Sequence, residues 1–158
     1  MKAIYPGSFD PVTSGHLDII ERSSRIFDQV IVSVAVNIEK KPMFTVAERV
    51  KMLKNACSHL DNVEVDYFHG LLVNYVVSRD ARIVVKGLRA ISDFEFEFQM
   101  SLMNRRICEN VETLFMMTSA DNLFLSSRLV KEMAMFGASL EGLVPKEVEQ
   151  KIIEKLKQ

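Results

Sequence analysis

The segment Gly7-Ser8-Phe9-Asp10-Pro11-Val12-Thr13-Ser14-Gly15-His16 links a short apolar run to the start of a helical pattern. Its residue types suit an anion. Gly7 and Gly15 let the backbone come close to a ligand. Ser8, Thr13 and Ser14 carry hydroxyls, and His16 falls in the first helical turn. There, unpaired N–H groups and the helix dipole attract negative charge, and an imidazole can donate to a phosphate oxygen. The same residues also fit a plainer role: a turn at Asp10-Pro11, a helix cap at Thr13 or Ser14, and an exposed histidine.

Three further segments carry matching chemistry. Lys40 and Lys41 precede Pro42 and the pair Met43-Phe44. Lys86, Gly87 and Arg89 place two cations around a glycine, an arrangement that offers a phosphate both charge and an unobstructed N–H. Ser126 and Ser127 open another helical pattern, with Arg128 and Lys131 close behind. A lysine pair alone is an ordinary solvated feature; four such segments at corresponding places in the chain are a stronger signal. The chain lacks GxxxxGK[ST], GxGxxG and HExxH, and it has no Ser/His/Asp order. Those absences argue against a Walker-type ATPase, an ordinary NAD enzyme and hydrolysis by those routes.

The elements that must position these residues follow from hydrophobic patterning. KAIYP, QVIVSVAV, NVEVDYF, RIVVKG and ETLFMM read as strands covered on both faces. Helical patterns fill the intervals. Val46, Val50, Leu53, Cys57 and Leu60 share one face of a helix that Thr45 and Glu48 open as a capping box. SDFEFEFQM alternates like a strand, yet Ser92 and Asp93 suit a helix start and the residues beyond continue as helix, so helix is expected. Pro145 is expected in the first turn of the last helix. The fold class is therefore α/β: a Rossmann-like, doubly wound, five-stranded parallel sheet with helices on both faces, built as one domain over residues 1–158. In such sheets ligands bind beyond the carboxyl ends of the strands, where all four segments fall.

Composition bounds the function. The 158 residues carry a formal charge of −1, which argues against a long nucleic acid as partner. Cys57 and Cys108 lack metal-site spacing and read as apolar fillers, and no protein-held metal is expected. No apolar run is long enough to span a bilayer, and no secretory leader is apparent, so neither membrane nor export is expected and the expected location is the cytoplasm.

YPGSFDPVTSGHLDII, KKPMF, KGLRAISDFEFE and LSSRLVKE, taken together and in order, resemble the bacterial phosphopantetheine adenylyltransferases, and the likeness covers essentially the whole chain. The TxGH element alone marks the wider nucleotidyltransferase superfamily; the other segments narrow it. The resemblance implies transfer of AMP from ATP to 4′-phosphopantetheine, giving dephospho-coenzyme A and pyrophosphate on the way to coenzyme A, with Mg2+ accompanying ATP. It implies a homohexamer. It assigns catalysis to His16, Lys40 and Lys86. ATP contacts fall on Ser8, Phe9, His16, Gly87, Leu88, Arg89 and Glu97, and on the run Asn122, Leu123, Phe124, Leu125, Ser126, Ser127 and Arg128. Contacts to the acceptor fall on Ser8, Lys40, Leu72 and Lys86. Two positions depart from the family's pattern: Lys86 stands where arginine is typical, and Arg128 where a third Ser or Thr is usual. A related nucleotidyltransferase with another acceptor, and a non-catalytic nucleotide sensor on the same fold, both remain open on the residues themselves.

Overall fold

The computed structural model describes residues 1–36 and 41–157, and of Ile91 and Ser92 only the backbone. Five strands form, β1 (Lys2–Gly7), β2 (Gln29–Ala35), β3 (Val63–Phe68), β4 (Ile83–Leu88) and β5 (Glu112–Met117). Every neighbouring pair is parallel, and the order across the sheet is β3-β2-β1-β4-β5. The chain thus builds outward from β1 to β3, then returns to place β4 on the other side of β1. The reversal puts the switch point between β1 and β4.

Side chains alternate across the pleat, as period two demands. Ala3, Tyr5, Val30, Val32, Val34 and Val85 enter one core, and Ile4, Ile31 and Val84 enter the other. The first core is closed by α1 (Ser14–Ile26), α2 (Val46–Ala56), α5 (Ser127–Met135) and α6 (Lys146–Leu156). The second is closed by α3 (Leu72–Ser78), through Val73 and Val76, with Cys108 at the end of α4 (Ile91–Ile107). The doubly wound architecture expected from the patterning is the one formed. Strands β3 and β5 differ from expectation in being only partly covered; they are the sheet edges.

Local signals explain most boundaries. Thr45 and Glu48 make the capping box of α2, with Thr45 Oγ1 accepting from Glu48 N at 3.2 Å and Glu48 Oε2 accepting from Thr45 N at 2.7 Å. SDFEFEFQM is helical, as its flanks predict, but its start is not capped as expected. Ala90 holds the N-cap position without a side-chain bond, and Asp93 directs its carboxylate to Arg89 instead. Pro145 sits one residue earlier than expected, at the N-cap of α6. On α2 the expected face is present, with Leu53 and Cys57 buried, but it also buries Arg49.

Leu53 has no exposed surface. Leu53→Ala is expected to lower the unfolding free energy by roughly 2–5 kcal/mol, read as a lower denaturant midpoint at an unchanged slope.

Candidate active site

Strand β1 pairs with β4 at Ala3–Ile83 and Ile4–Val84, near their starts, whereas its ladder with β2 runs from Lys2 to Gly7. Beyond Ile4 the two strands part, and their carboxyl ends flank a cleft of about 850 Å3. That volume lies within the range of small-molecule sites. Most of the residues anticipated as a site meet here. Ser8, Phe9 and His16 enter from the first loop, Lys86, Gly87 and Arg89 from β4, and Leu72 and Glu97 from α3 and α4. Leu125, Ser126, Ser127 and Arg128 close the cleft from the start of α5. Leu88 is buried in the fold, and Asn122, Leu123 and Phe124 lie on the neighbouring loop, outside the lining of the cleft; the latter two are largely exposed. Lys40 falls outside the described residues.

The first loop is shaped by packing. Phe9 adopts a φ of +47°, a left-handed conformation uncommon for a bulky residue. Its ring turns back over Gly7, where a Cβ would stand 2.9 Å from Phe9 Cζ. The ring is buried edge-to-face against Tyr5 and His16, with centroids 5.4 and 5.0 Å away. Thr13 caps α1, and His16 occupies the third helical position, where a glutamate or glutamine is usual. His16 Nδ1 accepts from Thr13 N at 3.0 Å and lies 3.1 Å from Thr13 Oγ1. With Nδ1 engaged as acceptor, the neutral ring carries its proton on Nε2. Burial, reinforced by the positive charge of Arg89, lowers the His16 pKa from 6.5 to about 4. His16 is thus a neutral hydrogen-bond donor at ordinary pH.

The cations at the end of β4, Lys86 within it and Arg89 just past it, are held by carboxylates one turn apart on α4. Lys86 Nζ is 3.2 Å from Glu97 Oε2. Arg89 makes a two-point pair with Asp93, Nε to Oδ2 at 2.9 Å and Nη2 to Oδ1 at 3.2 Å, and its Nη1 donates to the Leu125 carbonyl at 2.9 Å. Arg89 therefore ties the end of β4 to the turn before α5 and still has N–H groups to offer. Gly87 has a second reason to be glycine: a Cβ there would lie 3.1 Å from Ile19 Cγ1.

At the start of α5, Ser126 Oγ accepts from Leu129 N at 3.0 Å as the cap, and Ser127 Oγ donates to the Pro11 carbonyl at 2.7 Å. Ser127 gives its proton to Pro11, whereas Ser126 accepts and keeps an O–H to offer beside the backbone N–H groups of the first turn, which are the anion-binding feature of a helix start. Sequence reasoning missed several lining residues. Asn104 is 9% exposed, lines the cleft from α4 and makes no side-chain hydrogen bond among the described residues. Phe68, Leu71, Leu72 and Met100 give the same cleft apolar lining. Nothing in its local sequence marks Asn104; only the helical register places its amide inward. Among the described residues, no group of three or more His, Cys, Asp or Glu stands close enough to hold a metal ion.

Residues 4–133 match the cytidylyltransferase-like family model, which places the chain in this class of nucleotidyltransferases. A Vibrio parahaemolyticus protein assigned as a nicotinate-nucleotide adenylyltransferase shares the fold, with a TM-score of 0.65 at 18% identity over 96% of this chain and 97% of that one. The chain is 59% identical to the phosphopantetheine adenylyltransferase of Natranaerobius thermophilus, over 96% of this chain and 94% of its relative. It is 53% identical to that of Clostridium botulinum strain Eklund 17B, over 98% of each. At that likeness the chain belongs to the phosphopantetheine adenylyltransferase family.

His16 is expected to stay neutral well into acid. Its ring resonances, followed by NMR and assigned through loss in His16→Ala, should hold still from pH 8 to about 5.5 and move only towards pH 4. The stability it contributes has the matching sign. It is complete above pH 6.5, where the unfolded chain is also neutral, and is lost as pH falls through the interval down to about 4. Movement centred near 6.5 would refute the neutral donor.

Proposed function

We propose that the chain transfers the adenylyl group of ATP to the phosphate of 4′-phosphopantetheine, releasing pyrophosphate and dephospho-coenzyme A in the cytoplasm. The observation that carries this reading is the joint placement, around one cleft, of His16, the Lys86-Gly87-Arg89 strand end and the first turn of α5, beside an apolar arm containing Leu72. Phosphate sites next to an apolar channel suit an acceptor that is an anion at one end and a long amide chain at the other. Asn104, buried in the cleft wall with no side-chain hydrogen bond among the described residues, is assigned to an amide of that chain.

In the reaction, a phosphate oxygen of the acceptor attacks the α-phosphorus of ATP. The bond to the β-bridging oxygen breaks and pyrophosphate leaves. The nucleophile is already anionic, so no strong base is required; positioning and charge stabilisation supply most of the acceleration. His16 donates from Nε2 to an α-phosphate oxygen, without the repositioning a free imidazole would need. Lys86 and Lys40 hold the acceptor phosphate close to the α-phosphate. Arg89 and the N–H groups at the start of α5 hold the outgoing phosphates. Magnesium would be brought by ATP rather than held by the protein, and would offset charge on the pyrophosphate. The carboxylates lining the cleft, Asp93 and Glu97, are paired with Arg89 and Lys86.

The chain also self-associates, with a hexamer the stoichiometry implied by its resemblance. Helix α4 is apolar on several sides and exposes Phe94, Phe98, Leu102 and Met103, a continuous surface of the kind buried between subunits.

Purified protein with ATP, Mg2+ and 4′-phosphopantetheine is expected to form dephospho-coenzyme A, followed by mass. Equal pyrophosphate release with glycerol phosphate or nicotinate mononucleotide as acceptor would overturn the assignment. His16→Ala should lower turnover by roughly 100-fold or more, and Lys40→Ala should weaken the acceptor more than ATP in titration calorimetry. Met103→Glu should yield a smaller particle by light scattering.

A further inference from the structure

Behind the cleft stands a buried carboxylate that lines none of it. Asp10 is 7% exposed. Its Oδ1 accepts from Phe44 N at 2.9 Å; its Oδ2 accepts from Met43 N at 3.0 Å and from Lys131 Nζ at 3.0 Å. The two backbone donors lie just before α2, at the end of the segment that carries Lys40 and Lys41. The ammonium lies on α5, one turn beyond Ser127. Two neighbouring bonds run in parallel with these: Arg49 Nη1, from α2, donates to the Ser8 carbonyl at 2.9 Å, and Ser127 Oγ donates to the Pro11 carbonyl. The loop that delivers His16 is thus braced from both α2 and α5, and among the described residues Asp10 is the side chain that hydrogen-bonds both to the segment before α2 and to α5.

Electrostatics makes the placement informative. A negative charge beside a site for two polyanions opposes their binding, and burying a carboxylate costs several kcal/mol unless donors replace its water. A fold could brace these elements with neutral groups. The carboxylate brings what a neutral residue cannot, three simultaneous acceptances including an ammonium. Both of its oxygens are filled by protein, so it is not available to substrate.

We infer that Asp10 is a positioning residue for adenylyl transfer, its carboxylate locking the His16 loop to the segment before α2 and, through Lys131, to α5, so that acceptor and nucleotide meet in register. The inference rests on the reaction proposed above. It acts through alignment of two bound substrates, so it belongs to turnover and leaves the affinity for either substrate alone nearly untouched.

The test uses the full chain with Asp10→Asn, Lys131→Met and the double variant. With both substrates saturating, Asp10→Asn is expected to lower kcat by about 100-fold, the scale of an ångström of misalignment. Its Kd for ATP, measured by calorimetry without acceptor, should change less than threefold. Lys131→Met should lower kcat about tenfold or more, and the double variant should fall within about twofold of Asp10→Asn, because both changes sever one link. In Asp10→Asn the Met43 and Phe44 amides should exchange hydrogen faster, a readout independent of catalysis. Retention of kcat within threefold in both single variants, losses that multiply in the double variant, or a fall in ATP affinity proportional to the fall in kcat would overturn the inference. If Asp10→Asn does not fold, Lys131→Met decides: unchanged kcat overturns it, and a tenfold loss at unchanged ATP affinity supports it. Should the unaltered protein form no dephospho-coenzyme A, the proposed reaction fails, and amide exchange alone then decides whether Asp10 holds the loop.

Discussion

The parting of β1 from β4 is the constraint on which the rest depends. A continuous ladder between them would carry Tyr5 through Gly7 alongside Val85 through Gly87 and close the place where both halves of the sheet end together. Because pairing is kept at Ala3 and Ile4, the sheet stays one body while its rim opens. Everything that follows is a way of filling that opening usefully. Phe9 folds back to wedge the first loop, Ile19 packs against the bare face of Gly87, and Arg89 crosses to the turn before α5.

A chain with almost no net charge must handle two polyanions, and it does so by local pairing. Each β4 cation in the cleft has a carboxylate on α4, Glu97 for Lys86 and Asp93 for Arg89. Such pairs have two effects. They keep long side chains extended towards the cleft without ligand, which lowers the ordering entropy left for binding. They also require an incoming phosphate to share or displace a carboxylate, so affinity reflects a difference between two ion pairs. Lys86 differs here from Arg89, because an ammonium can swing between partners where a two-point guanidinium pair holds its plane.

Much of this was legible in the amino-acid order. The five strands, the parallel topology and the segments at their carboxyl ends all follow from local pattern and from the rule that locates ligands at the switch point. The capping box at Thr45 was equally plain, because both partners lie within four residues of each other. What escaped was set by distance. Asp93 reads as a helix cap until Arg89 is seen to take it, and no local pattern marks Arg49 as the partner of the Ser8 carbonyl. Asn104 carries no local mark, since the register of α4 alone turns it inward while Leu102 and Met103 face out. Ser126 and Ser127 were read as an anion site at a helix start; the helix does begin there, and what the sequence could not show is that Ser127 Oγ reaches the Pro11 carbonyl on the first loop while Ser126 Oγ caps the turn.

His16 serves the helix it begins as well as the cleft it faces, since its Nδ1 closes the capping box of α1 on Thr13. For helix formation alone, glutamate or glutamine would occupy that place at least as well. Selection for thermal robustness would therefore pull position 16 towards Gln or Glu. Under the mechanism proposed above, a stabilising screen blind to turnover should recover well-folded clones that have lost the Nε2 donor, and with it the transfer.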